Sequence, residues 1–120
     1  MRHTIAAVAL VLVLACSACS SGEKASAASD DARTACALLR GLRAPLPEHP
    51  ADSSDTAGLN AADSVLYRLG AAEELAAAAA LADSGYRALS DAVHTARIVP
   101  ATEFRNRAAE PYIKEALTHC

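Results

Sequence analysis

The chain has 120 residues, 52% of them hydrophobic, with one Phe, three Tyr, no Trp and a formal net charge of −3. That length holds one domain with a modest core and leaves no room for a second. The acidic balance lacks the clustered Lys and Arg that binding to a phosphate backbone requires, so nucleic acid is not an expected partner.

The chain opens "MRHTIAAVALVLVLAC", where Arg2 precedes an apolar run from Ile5 to Ala15. This is the charged n-region and short h-region of a secretory signal. As a helix the run rises only about 16 Å, far short of the roughly 30 Å hydrocarbon core, so a retained transmembrane helix is not expected. A buried amphipathic helix does not fit either, because the run is apolar on every face.

The junction "VLVLACSACSS" resembles the lipobox of bacterial lipoproteins, in which small or aliphatic residues precede a cysteine that is diacylated and becomes the mature N-terminus. At Cys16 the box reads Val13-Leu14-Ala15-Cys16, with a bulky Leu at minus two; at Cys19 it reads Cys16-Ser17-Ala18-Cys19, with a small pair but a cysteine at minus three. Cysteine parity favours Cys19. Cleavage there discards Cys16 and leaves Cys36 and Cys120 as a pair, whereas acylation of Cys16 leaves Cys19 as an odd thiol in an oxidising compartment. The resemblance implies a signal peptide over residues 1–18, acyl chains of the palmitate class on Cys19 (alternative Cys16), and attachment to the extracytoplasmic face of the cell membrane. The Ala-rich, Arg-over-Lys composition fits the actinobacterial style of such leaders. A freely secreted product, cut after Ala25-Ser26-Ala27, is the alternative, although that site lies many residues beyond the apolar run.

Residues 19–29 read as a lipidated N-terminus and flexible linker, since "SSGEKASAAS" is small, polar and without periodicity. The helical domain is residues 30–120. Its first helix starts near Asp30 or Asp31 and carries Ala32, Ala35, Cys36, Leu39 and Leu42 on one side. Pro45, Pro47 and Pro50 then impose an irregular loop from Arg43 to about Asp55. A second helix is signalled by Leu59, Ala62, Leu66 and Leu69, with Gly70 ending or bending it. Leu75, Ala78, Ala82, Gly85, Leu89, Ala92 and Ala96 continue the three-and-four spacing, so 71–98 reads as one long third helix or as two shorter ones broken at Gly85. Pro100 interrupts the pattern and Thr102 is the expected N-cap of a last helix, Glu103 to His119, kinked at Pro111. Its edges are Phe104, Ala108, Tyr112, Ala116 and Ala109, Ile113, Leu117, Cys120.

The expected fold class is therefore all-α, a small four-helix up-and-down bundle behind a cleaved signal and tether. In that topology the first helix lies beside the last, which places Cys36 near Cys120. A disulfide there would close a long loop and stabilise by roughly 4 to 5 kcal/mol. A core so poor in large side chains needs such a staple.

Chemical motifs are sparse. Asp91 with His94 is one helical pair without a second, His49 and His119 stand alone, and neither a metal nor a cofactor is expected. Glu73 and Glu74 lie where acids favour a helix start. No nucleophile elbow, P-loop or dinucleotide fingerprint occurs, so an enzyme is not expected. Arg97, Arg105, Arg107 and Lys114 are interleaved with Glu103, Glu110 and Glu115 and read as a solvated face, with an anionic headgroup or envelope polymer as the alternative. Tyr67, Tyr86 and Tyr112 suit either core edges or a docking surface. The expected function is that of a lipid-anchored, non-enzymatic interaction or structural module of the envelope with a protein partner. The alternative is a carrier or sensor of a small apolar ligand, held near Leu75 to Leu89 where facing side chains are small.

Overall fold

The computed structural model describes the backbone from Ala6 to Cys120 and the side chains from Gly22 onward. Arg2 of the expected signal and the side chains of Cys16 and Cys19 lie outside the described residues. Among the described residues there are four α-helices: α1 (Ala6–Arg40), α2 (Thr56–Ala82), α3 (Arg87–Glu103) and α4 (Glu110–Leu117). Short 3₁₀ turns at Ser84–Tyr86 and Asn106–Ala109 precede α3 and α4, and no strand is present among the described residues. Each helix packs on the next, α1 on α2, α2 on α3 and α3 on α4, and α4 returns to α1.

In α1 the buried positions are Ala28, Ala32, Ala35, Cys36 and Leu39, one stripe at helical spacing. The helix runs through the stretch that the sequence reading assigns to a flexible linker, and Ala28 is already 1% exposed. The physical reason is propensity: Glu23, Lys24, Ala25, Ala27 and Ala28 are good helix formers and outweigh Gly22 and the interspersed serines. After Arg40 the last turn tightens, with the Leu42 amide donating to the Leu39 carbonyl at 3.0 Å, and the proline-rich loop follows, its Ala44–Pro45 bond cis.

Asp55 caps α2, its carboxylate accepting from the Gly58 amide at 2.9 Å. The buried residues of α2 are Ala62, Val65, Leu69, Ala72, Ala76 and Ala79, spaced alternately three and four. Such a seam has the 3.5-residue period of coiled-coil packing, and its small side chains let α1 and α3 approach closely. The seam is rotated from the expected one: Leu66 and Leu75 are half-buried and Ala78 and Ala82 exposed. Gly70 does not end α2, because its propensity penalty of about 1 kcal/mol is small beside a buried stripe that continues on both sides.

The break falls at Asp83, two residues before the Gly85 of the shorter-helix alternative, and residues 71–82 belong to α2 rather than to a separate helix. Asp83 is extended (φ −145°, ψ 114°); its amide donates to Ala79 and its carboxylate accepts from Gly85 at 2.8 Å, so one residue closes α2 and opens the next turn. α3 buries Leu89, Val93, Ala96 and Pro100. Pro100 does not interrupt it, since in the last turn the missing N–H removes a single bond and the ring fills a core position. Thr102 is not an N-cap; its hydroxyl donates to the Val99 carbonyl. The last helix starts seven residues later than expected, and Pro111 sits in its first turn, where a missing N–H is tolerated, so no kink arises there.

Ala109, Ile113 and Ala116 bury the inner edge of this final segment. Cys36 and Cys120 are bonded, with Sγ–Sγ 2.13 Å and Cα–Cα 5.9 Å across a sequence separation of 84. Leu39, Leu46, Leu69 and Leu89 are the largest fully buried side chains, followed by Val65 and Val93.

Candidate functional site

The most organised polar structure lies where the proline-rich loop meets the turn between α3 and α4. Asn106 is the buried polar residue of the core, 2% exposed among the described residues. Its amide nitrogen donates to the Pro47 carbonyl at 2.7 Å and to the Ala62 carbonyl of α2 at 2.9 Å, joining three segments. Glu48 reaches the same turn from the loop. Its two carboxylate oxygens accept from the backbone amides of Asn106 (2.7 Å) and Arg107 (2.9 Å), donors that a short helical turn leaves unsatisfied. The exchange is reciprocal: Glu110 accepts from the Leu46 amide at 2.8 Å, and Arg107 Nε donates to the Leu46 carbonyl at 3.2 Å. Leu46 is thereby seated in the core.

This bracing holds Phe104 in an unusual state. Phe104 ends α3 in the left-handed region (φ 55°, ψ 30°), a conformation usual for Gly and uncommon for a bulky L-residue. Its ring is 89% exposed. The sequence reading places this side chain on a helix edge; the structure instead puts it at a turn, because Arg105 is extended and begins a new segment. An open groove of about 460 Å³ runs beside it, lined by Glu48, His49, Arg105 and Arg107.

The remaining expected residues are dispersed. His94 pairs with Glu73 of α2 at 2.5 Å rather than with Asp91, His49 with Asp63 at 2.9 Å, and His119 with Glu115 at 3.4 Å. Among the described residues no three His, Cys, Asp or Glu side chains converge as metal ligands would. Arg97 lies over α2 near Gly70, Arg105 and Arg107 beside Phe104, and Lys114 on the groove of Leu42 and Ile113, so the basic residues form no single face. Tyr86 packs against the core, while Tyr67 is 78% exposed on α2. Asp52, in the loop, has its carboxyl held below the usual range because the Ser54 amide and hydroxyl both donate to it.

Glu48, Phe104 and Asn106 are the residues that sequence reasoning missed. Pro111 carried the signal: a proline is favoured in a first turn, which already implies a boundary just before it. No helix among the described residues is long and apolar enough to cross a membrane. No known family, characterised protein or solved structure matches this chain.

Proposed function

We propose that this is an exported, lipid-anchored protein of the cell envelope whose helical domain is a non-enzymatic interaction module, meeting a protein partner through the tip around Phe104. The observation that carries the reading is Phe104 itself: an aromatic ring kept exposed, in a backbone state that costs roughly 1 to 2 kcal/mol for an L-residue, on a turn braced from two sides. Aromatic side chains are enriched among the residues that dominate protein interfaces. Placement agrees. With acylation at Cys19, α1 would rise about 30 Å from the anchor to Arg40 at 1.5 Å per residue, so the loop and Phe104 would face away from the lipid.

Support for a small-ligand carrier is thinner. Ala76 and Ala79 are fully buried in the seam, within the Leu75 to Leu89 region where such a ligand would have to lie.

The test is a photo-crosslinking amino acid at position 104 in the exporting bacterium, with the same probe at Leu81, another exposed apolar position, as control. A discrete protein adduct from position 104 alone is expected. Absence of an adduct, or the same pattern from both positions, refutes the tip as an interface. Intact mass of the membrane-extracted protein tests the anchor: a diacylglyceryl group on a chain starting at Cys19 is expected, and a non-lipidated mass refutes it.

A further inference from the structure

We infer that the groove along α2 beneath Arg97 is a binding site for a short peptide held by its two charged ends. The groove, about 290 Å³, is lined by Asp63, Leu66 and Tyr67 of α2 and by Arg97 of α3, all well inside the chain. Asp63, Tyr67 and Gly70 stand at i, i+4 and i+7 and share one face of α2. Gly70 shows where Arg97 goes. The Arg97 Nε lies 3.6 Å from the point that a Cβ on Gly70 would occupy, so the half-buried side chain crosses from α3 onto α2 rather than extending into solvent. Apart from the helix's own neighbours, nothing else comes within 4 Å of that point, which leaves the surface of α2 bare beside the guanidinium.

Opposite charges mark the two ends of the groove. Arg97 has no carboxylate within 4 Å among the described residues, and Glu73, three residues beyond Gly70, is taken by His94. A half-buried guanidinium with its forked donors unspent matches a carboxylate. At the other end His49 Nε2 meets Oδ1 of Asp63 at 2.9 Å, which leaves Oδ2 to accept from a ligand ammonium. The seven residues from Asp63 to Gly70 rise about 10 Å, and an extended peptide advances roughly 3.3 to 3.6 Å per residue, so about three residues match the separation. A single amino acid, with its charged groups only about 3 Å apart, does not reach both ends. Between them half-buried Leu66 forms an apolar floor and the ring of Tyr67 a wall, suited to an apolar middle side chain. The ligand class is therefore a free zwitterionic peptide of about three residues with an apolar centre. An internal segment of a protein offers neither terminal charge, so the site is independent of the partner proposed for Phe104.

The test is titration of alanyl-leucyl-alanine into the isotopically labelled full chain in nonionic micelles at low salt, read by amide chemical shifts. Saturable shifts confined to residues 60–74 and 94–101 are expected, with a dissociation constant of roughly 1 mM. N-acetylation and C-amidation of the peptide each weaken binding roughly fivefold or more, since each removes one charge-assisted contact. In R97A amidation makes no further difference, and in D63N acetylation makes none, because each variant has already lost the group that its cap withdraws from the ligand. Leucine alone, with its charges too close together, gives no saturation. Unsaturable shifts from the tripeptide, sensitivity to one cap only or to neither, or leucine binding as tightly as the tripeptide each overturn the inference. The capped peptides act on the parent chain, so the outcome does not depend on the folding of either variant.

Discussion

Replacing Phe104 with Gly tests the strain reading directly. The ring is almost wholly exposed, so its removal forfeits little burial. The left-handed backbone costs an L-residue roughly 1 to 2 kcal/mol and Gly essentially nothing, while Gly adds about 0.5 to 1 kcal/mol of unfolded-state entropy. The balance favours the variant: F104G is expected to be more stable by about 0.5 to 1 kcal/mol, raising the melting temperature by a few degrees. F104A keeps the backbone penalty and is expected within about 0.5 kcal/mol of the parent. Urea denaturation followed by helical circular dichroism, in parent, F104A and F104G, gives the order. If F104G is no more stable than F104A, the left-handed state is not strained. If both are clearly less stable than the parent, the ring contributes packing and is not a free surface.

Asn106→Ala strips the amide from the Pro47 and Ala62 carbonyls and is expected to cost about 2 kcal/mol in the same assay, with Asn106→Asp costing more because it sets a carboxylate against those carbonyls. Ala76→Leu overpacks the α2 seam and is expected to destabilise by about 1 to 3 kcal/mol, whereas Ala78→Leu, two residues on and exposed, shifts the melting temperature little. Cys120→Ser opens the bridge and is expected to lose roughly 4 kcal/mol by loop-closure entropy; a calorimetric melt unchanged from the oxidised parent contradicts this. The Asp52 carboxyl is lowered in the folded state, so its small contribution is present above the unfolded value near 3.8 and fades as the pH falls through the folded one. The Ser54 amide shift follows that titration, and in D52N the step disappears.

The helical class, the proline-rich loop and the pairing of Cys36 with Cys120 were legible because composition, proline chemistry and up-and-down topology each constrain them strongly. The register of the seam was not. In "LAAAAALA" the alanines are interchangeable, so spacing alone does not distinguish Ala76 and Ala79 from Leu75 and Ala78, and the outcome depends on what α1 and α3 present. Helix boundaries failed where one residue has two physical uses. Gly70 can stop a helix or merely weaken it, and Pro100 can break one or fill its last turn. The tip was hidden for a different reason: Glu48, Asn106 and Glu110 are far apart in sequence and meet only after the loop folds back, so no local pattern announces them.

The covalent link from Cys36 to Cys120 also fixes how the molecule would carry mechanical load. A pull applied between α1 and Phe104 has two routes, one through the backbone of α2 and α3, the other across the sulfur bridge and back through α4. The second spans roughly 16 residues, at most about 55 Å when drawn out, and becomes taut long before the first. Tension therefore unravels the short terminal helix and its turn, then meets a covalent stop, while the long α2–α3 hairpin remains slack and folded. A protein tethered at one end and held at the tip would yield by a bounded extension and then resist.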